Sequence, residues 1–380
     1  RTSNPQTMTQ TVSTEGWKRN YLRAHLKYNR LFAEIHRVGA YAMIYQEQNA
    51  DTRLANEGDI IASIPHRNLA YSGSFTYAFR DRYLVEFNWG YTGSENFEHG
   101  KQFGFFPSYS AGWLISEEPF IKRIAPWLEM LKIRGSYGLV GNDNIGGQRF
   151  PYISLIGTTN GYNWGEFGSH GIQGYRITTV GTPKLTWETA KKYNLGIDFN
   201  LFNSKITGTV DIYKDVRDDI FMKRNHMPLS TGLADQTPMA NVGRMKATGW
   251  DGNIAFLQRI GQVDITLRAN MTYQNNEIVD RDEAANELWY KMDKGFRLNQ
   301  TRGLIALGLF KDQEDIDCSP SQTGLATDGR PVLPGDIKYK DVNGDGVITD
   351  DDYVPLGYRE MPGLQYGMGE IGRASCRERV

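Results

Sequence analysis

Apolar and polar residues alternate along this chain with few errors, and the apolar members are heavily aromatic. Tyr71, Gly73, Phe75, Tyr77 and Phe79 interleave with Ser72, Ser74, Thr76 and Ala78. Tyr83, Val85, Phe87, Trp89 and Tyr91 interleave with Leu84, Glu86, Asn88 and Thr92. A period of two predicts β-strands with one apolar and one wet face. Sustained over spans of about ten residues, it is the pattern of a transmembrane β-barrel, with lipid outside and water or polar filling inside.

The same alternation recurs with every charge on one face. Leu22, Ala24, Leu26 and Tyr28 oppose Arg23, His25, Lys27 and Asn29. Leu131, Ile133, Gly135, Tyr137 and Leu139 oppose Lys132, Arg134, Ser136 and Gly138. Tyr193, Leu195, Ile197, Phe199 and Leu201 oppose Asn194, Gly196, Asp198 and Asn200, and residues 263–273 repeat the scheme around Arg268. An Arg or Lys on the lipid face at mid-depth costs ~2–4 kcal/mol, so scattered charge would be expensive. A soluble β-sandwich also alternates, but its strands average about 5–6 residues. These run longer.

Strands are expected near 18–30, 37–46, 69–80, 82–93, 102–115, 128–140, 189–201, 204–215, 242–257, 262–274 and 301–310, with a last one starting near 363. Tight turns fit at Arg80-Asp81-Arg82, at Asn203-Ser204 and at Gly261. The remaining gaps, 47–68, 141–188, 216–241, 275–300 and 311–362, are long and polar. Short turns alternating with long loops are the asymmetry of outer-membrane barrels, periplasmic at one rim and external at the other. No helix is strongly predicted beyond some helical character over 280–291.

Composition narrows the classes. No apolar run approaches the ~20 residues that a spanning helix needs, which excludes a helical membrane protein and leaves a barrel open. Gly 41, Tyr 21 and Trp 8 suit tight turns and interfacial aromatic girdles. The formal charge of −1 gives no basic footprint for nucleic acid. Cys318 and Cys376 offer neither a disulfide framework nor a Cys-based zinc site. The chain opens on Arg1 with a polar run and no leader, which for an exported barrel reads as a piece of a longer protein.

Several ordered blocks carry a resemblance. Residues 77–88 (Tyr77 to Asn88), 105–120 with Pro107, Gly112 and Trp113, and 131–142 with Tyr137 and Gly141 form the first group. Trp187 to Asp198, Asn241 to Trp250 and the run from Pro334 through Asp341 to Gly346, with Gly357 and Pro362 to Gly367, form the second. Together they resemble the SusC/RagA family, the TonB-linked outer-membrane nutrient transporters of Gram-negative cells, over roughly residues 18–369. The resemblance implies an all-β, antiparallel transmembrane barrel of about 22 strands with a plugged lumen, of which this chain is an incomplete, open section with long external loops. It also implies a TonB box on an N-terminal plug, a SusD-like surface lipoprotein as partner, and an oligosaccharide, glycan or peptide as cargo. Plug and final strands are not among the matching blocks. Residues 1–371 are read as partial barrel. Residues 372–380 break the pattern with three Arg and resemble translated adapter or vector sequence, outside the fold.

One stretch has ligand spacing. Asp341, Asn343, Asp345, Gly346, Val347, Thr349 and Asp352 match the calcium loop D-x-[DN]-x-[DN]-G-x5-E, with Asp for the final Glu. Ca2+ takes six to eight oxygens: here three side chains, the Val347 carbonyl, Thr349 directly or through water, and Asp352 closing the shell. Its expected work is to stiffen an external loop. The bland alternative is an acidic, Gly-rich turn that merely solvates. Tyr162 and Trp164, with Phe167, sit in a Gly/Asn-rich loop and are candidates for stacking on sugar rings, or simply pack the loop. Carboxylate pairs in 280–283 and 311–315 have the residue types of a glycosidase, yet nothing aligns them across a cleft.

Import without catalysis is therefore the leading reading, with Arg23, Lys27, Glu86, Asn88, Arg134, Asp198 and Arg268 lining the lumen and lipid outside. The alternatives are a soluble calcium-stabilised β-sandwich of carbohydrate-binding or adhesin type, and a calcium-dependent secreted glycoside hydrolase. Either one requires the Tyr, Phe and Trp rings to be buried against a second layer.

Overall fold

The computed structural model describes residues 16–51, 64–145, 149–168, 170–224, 229–231, 238–261, 263–283, 288–325 and 330–374. The long strands are β1 (Trp17–Phe32), β2 (His36–Asp51), β3 (His66–Phe79), β4 (Tyr83–Ser94), β5 (Phe103–Leu114), β6 (Leu128–Asn142), β9 (Glu188–Leu201), β10 (Ile206–Lys223), β11 (Met239–Ile260), β12 (Val263–Asp280) and β17 (Leu364–Ala374). They join one 11-stranded sheet in the order β1-β2-β3-β4-β5-β6-β9-β10-β11-β12-β17. Nearly every neighbour in space is thus a neighbour in sequence, and β1 and β17 form the two edges.

Two compact units divide the chain: Arg1–Arg80 with Val85–Tyr109 and Gly141–Trp187, and Asp81–Leu84 with Ser110–Val140 and Glu188–Val380. In the first, antiparallel register sets Ala24 against Ile44 and Ile44 against Tyr71, then Tyr28 against Ala40 and Ala40 against Phe75. In the second, the row Leu195, Ile212, Trp250, Tyr273, Leu364 crosses five strands. The row Ile197, Val210, Gly252, Met271, Tyr366 runs beside it. One residue along, the other face reads Gly196, Asp211, Asp251, Thr272, Gln365. Alternation within each strand therefore becomes a two-faced sheet only because register holds across strands, and a slip of one residue would mix the faces.

The apolar face is open. Tyr71, Phe75, Tyr83, Val85, Tyr91, Tyr193, Leu195, Ile212, Trp250 and Tyr273 are all exposed. Buried hydrophobics among the described residues are few and lie mainly outside the sheet's middle: Ala78, Phe97, Ile145, Leu185, Ile278, Tyr290, Phe310 and Ile348. Among the described residues no second layer covers the rings, which is not the packing that a sandwich requires. Among the described residues no helix is long and apolar enough to cross a membrane, which says nothing of crossing by strands.

The expected turns hold. Arg80 and Asp81 (φ 52° each) form the paired left-handed turn that matches strand twist. Phe202, Asn203 and Ser204 (φ 56°, 56° and 60°) and Gly261 (φ 63°) serve the same purpose at the next two short connections.

Elsewhere the structure corrects the sequence reading. The long loop 141–188 contains a separate hairpin, β7 (Leu155–Trp164) with β8 (His170–Thr179). The expected strand at 301–310 is not part of the barrel sheet. It is two short pieces, β13 (Gln300–Gly303) pairing with β16 (Val354–Arg359), and β14 (Ala306–Leu309) pairing with β15 (Ile337–Tyr339). Two short helices appear, α1 (Pro119–Ile124) and α2 (Gln313–Asp317). Over 280–291, strand β12 runs through Asp280 and only Trp289–Lys291 turns as a 3-10 helix, with 284–287 outside the described residues. β17 continues three residues past the boundary drawn at 371, and 375–380 lie outside the described residues.

Candidate functional site

Among the described residues, polar chemistry gathers at several places, three of which bear on function. The first is the wet face of the second unit. Arg134 on β6 sends Nη2 to Asp211 Oδ2 on β10 at 2.6 Å, Nε to Asp198 Oδ2 at 3.2 Å and Nη1 to Asn194 Oδ1 at 3.4 Å. Reaching β10 from β6 means crossing β9, and the residue crossed is Gly196, which pairs with Asp211. A Cβ on Gly196 would stand 2.6 Å from both Arg134 Cζ and Asp211 Oδ1. Asp211 is buried and sits directly opposite Asp251, a like-charge pair that the guanidinium offsets. Further along, Asp218 accepts from Lys191 Nζ (2.8 Å) and Arg244 Nε (2.6 Å). β11 has 22 residues, about twice the 9–11 that cross a bilayer, so this second cluster falls on strand that projects beyond the apolar rows.

Of the expected lumen residues, Arg134 and Asp198 are brought together by the bond just given. Glu86 accepts from Asn88 Nδ2 at 2.9 Å, and Arg23 Nε meets Met43 Sδ at 3.1 Å. Lys27 and Arg268 stand exposed on their strands.

The second place, in the first unit, is a cleft of about 610 Å3 lined by Glu47, Arg67, Glu95, Phe103, Phe150 and Tyr152 among others. Glu95 is its hub, taking Arg149 Nη2 at 2.5 Å, the Arg67 backbone N–H at 3.3 Å and His66 Nδ1 at 3.3 Å. Glu47 accepts from Asn49 Nδ2 (2.7 Å), Arg19 Nε (2.8 Å) and the Tyr45 hydroxyl. Burial, then the nearby Glu95 and Glu98, raise Tyr152 above the usual phenol range. None of these residues was singled out by sequence. Their signal is weak because they come from four strands and two loops distant in the chain.

The third place is the acidic turn. Asp341 Oδ1 and Oδ2 accept from Gly344 N (2.6 Å) and Gly346 N (2.8 Å), and Asp345 Oδ1 accepts from Val347 N (2.8 Å). Gly344 (φ 77°) and Gly346 (φ 82°) adopt the left-handed conformation that glycine tolerates best. Asp352 is fully buried and binds Val342 N (2.7 Å) and Thr349 N (2.9 Å), forming a capping box with Thr349. Ser321 pairs with Val347 in a parallel bridge, and the Tyr290 hydroxyl donates to Asp351 O at 2.9 Å. The donor set is right in kind for a hard cation, since each carboxylate oxygen keeps a further lone pair. Asp352 departs from the expected role in being committed to backbone amides. Among the described residues no three His, Cys, Asp or Glu side chains converge as a metal cluster.

Tyr162 and Trp164 lie on β7, edge to face with ring centroids 4.7 Å apart, and are 64% and 58% exposed. The structure brings them together without packing them, and Phe167 (φ 58°) follows fully exposed.

A meandering antiparallel sheet with one aromatic, uncovered face, one charged face and short turns alternating with long connections defines an outer-membrane β-barrel protein. Residues 2–324 match the family described as TonB dependent receptor-like, beta-barrel, and the chain belongs to that family, in its SusC/RagA branch. It is 30% identical to TonB-dependent receptor SusC of Bacteroides thetaiotaomicron over 75% of this chain and 28% of that protein. It is 27% identical to TonB-dependent receptor P26 of Formosa agariphila over 94% of this chain and 37% of that protein. The solved RagAB peptide transporter shares its fold, with a TM-score of 0.66 at 20% identity over 95% of this chain and 41% of that one. The chain therefore spans well under half the length of these relatives.

Proposed function

We propose that the protein carrying this chain imports a nutrient across the outer membrane in a TonB-dependent manner, with an oligosaccharide, glycan or peptide as cargo and a SusD-like lipoprotein as its surface partner. The observation that carries this is the two-faced sheet: charged side chains on one face can line a passage only if the other meets lipid. The names of the relatives, receptors in one set and a peptide transporter in the other, support the class of activity. No catalysis is assigned. TonB would act through a region these residues do not include, and the polar face and the Glu95 cleft are where cargo would be handled. Tyr162 and Trp164 offer an exposed pair of rings suited to stacking on a sugar. Calcium at Asp341, Asn343 and Asp345, with the Val347 carbonyl, Thr349 and Asp352, would hold the β12–β17 connection rigid.

Deleting the gene and measuring uptake of labelled glycans and peptides tests this. Loss of uptake for one cargo class, restored by the wild-type gene and not by one lacking its TonB-binding segment, is the expected result. Undiminished uptake of every cargo overturns it. Hydrolysis of a polysaccharide panel by the purified receptor would overturn the reading of import without catalysis. Limited proteolysis within 330–352 with calcium or chelator tests the metal, with at least about fivefold slower cleavage expected when calcium is bound.

A further inference from the structure

The connection between β5 and β6 is built unlike the other short-rim connections. Those are tight turns, whereas this one carries a 3-10 turn (Ile115–Glu117), α1 and Trp127. Its start is tied to the apolar side of the sheet. Glu118, buried, accepts from the Tyr83 hydroxyl at 2.7 Å and from Trp113 Nε1 at 3.2 Å, and Arg82 lies 3.7 Å away. Tyr83 and Trp113 belong to the lipid-facing alternation and stack at 6.3 Å, 13° apart. The segment's end is tied the same way. Trp127 stacks on Phe202 at 5.3 Å and its carbonyl accepts from Phe202 N at 2.8 Å.

Between these ties the apolar residues are turned out. Phe120 and Ile124 share a face of α1 by their spacing and are 53% and 77% exposed, and Trp127 is 47% exposed. Arg123 stands exposed between them, as does Lys122, whose Nζ also pairs with Glu117 Oε2 at 2.5 Å. A soluble turn gains nothing from that arrangement. A segment at the boundary of acyl chains and headgroups gains on both counts, because rings and aliphatic groups enter the apolar layer while cations meet phosphate.

We propose that residues 115–127 form an interfacial anchor seated in the periplasmic leaflet, with Phe120, Ile124 and Trp127 at the acyl boundary and Lys122 and Arg123 on glycerophospholipid phosphates. The occupant follows from continuity: the ties at Tyr83, Trp113 and Trp127 make the segment an extension of the lipid-facing surface. The rim follows from the short turns at 80–82 and 202–205.

The test uses the receptor reconstituted in vesicles of phosphatidylethanolamine and phosphatidylglycerol. Ile124→Cys or Phe120→Cys, each in a Cys318→Ser, Cys376→Ser background, carries a fluorescent label, and heat-modifiable gel mobility first shows that each variant is folded. Nitroxide at a shallow acyl position should quench the label at least about twofold more than nitroxide at the chain end, and aqueous iodide should quench it several-fold less than a label on exposed Cys318. Iodide access equal to that at Cys318 would place the segment in water, and protection from both lipid and iodide would place it under protein. Either result overturns the anchor. Adding Lys122→Gln and Arg123→Gln should raise iodide access about twofold, and no change removes the phosphate contact.

Discussion

The barrel sheet and the β12–β17 connection are made by one chain for opposite surroundings. In the sheet, Leu195, Ile212, Trp250 and Tyr273 line up outward and the carboxylates of Asp198 and Asp211 face the other way onto Arg134. In the connection, Phe310, Ile348 and Tyr290 turn inward, and around them lie the half-buried ion pair Lys338–Asp315 (2.8 Å) and the pair of half-buried Lys291 with exposed Asp351 (2.8 Å). Gln322 shows the same inversion. It is buried, and it satisfies Ile337 O (2.9 Å) and Tyr339 N (2.8 Å) at once. The sheet turns its rings outward in whole rows, whereas the connection buries a few apolar side chains of its own and leaves others, such as Trp289, Leu307 and Leu309, exposed. One presents its apolar side chains along an uncovered face, and the other gathers a small core around Phe310, Ile348 and Tyr290.

That contrast can be broken in order of expected effect. Ile212→Arg puts a charge in the middle of the apolar row and should destabilise the bilayer-embedded barrel by ~2–4 kcal/mol, read by denaturant unfolding in vesicles and by lost heat-modifiable mobility. Unchanged stability would mean that this face does not meet hydrocarbon. Ile348→Ala should cost the connection about 2–4 kcal/mol of local stability, seen as faster proteolysis near 330–352, with the barrel's unfolding midpoint unmoved. A matching fall in the barrel midpoint would show the two regions to be one cooperative unit.

Arg134→Ala leaves Asp211 facing Asp251 without its cation and should cost about 1–2 kcal/mol, since the guanidinium is about one-third exposed. Adding Asp211→Asn should recover most of the loss. The smallest effect is one of pH. The Lys338 ammonium, then the Lys311 backbone N–H, hold the Asp315 carboxyl below the usual carboxylate range. Its folded value lies below its unfolded one, so its contribution is present above about pH 4 and is lost as pH falls through the folded value. Proteolysis of the connection should accelerate only in that acidic window, and Asp315→Asn should flatten the response.

The sheet was legible because two physical demands coincide in it. Residues such as Tyr71, Phe75 and Tyr83 must suit lipid and must also alternate, so each strand announces itself locally. Even the short turns at 80–82 and 202–204 were visible as gaps between strands. The hairpin of β7 and β8 was not. Its residues 155–164 are rich in Gly, Thr and Asn, and Gly161 lies so close to the opposing strand that a Cβ would stand 1.8 Å from Ile172 O. Backbone approach of that kind leaves no hydrophobic rhythm. β13 and β14 read in the sequence as one strand over 301–310, and β15 and β16 do not show there, for a simpler reason: strands of three to six residues hold too few positions for a period to show. The acidic turn was readable by residue type at Asp341, Asn343 and Asp345, while the commitment of Asp352 to backbone amides depends on folding around Ile348. The Glu95 cleft depends wholly on tertiary structure.

Gly196 holds a larger consequence than its size suggests. The missing methyl at that point is the slot through which a guanidinium lies flat across a neighbouring stave instead of standing up from it. Fill the slot, and the positive charge must rise off the sheet, while the acid it neutralised is left bare. A single hydrogen atom thus sets the height at which that charge stands above the wall.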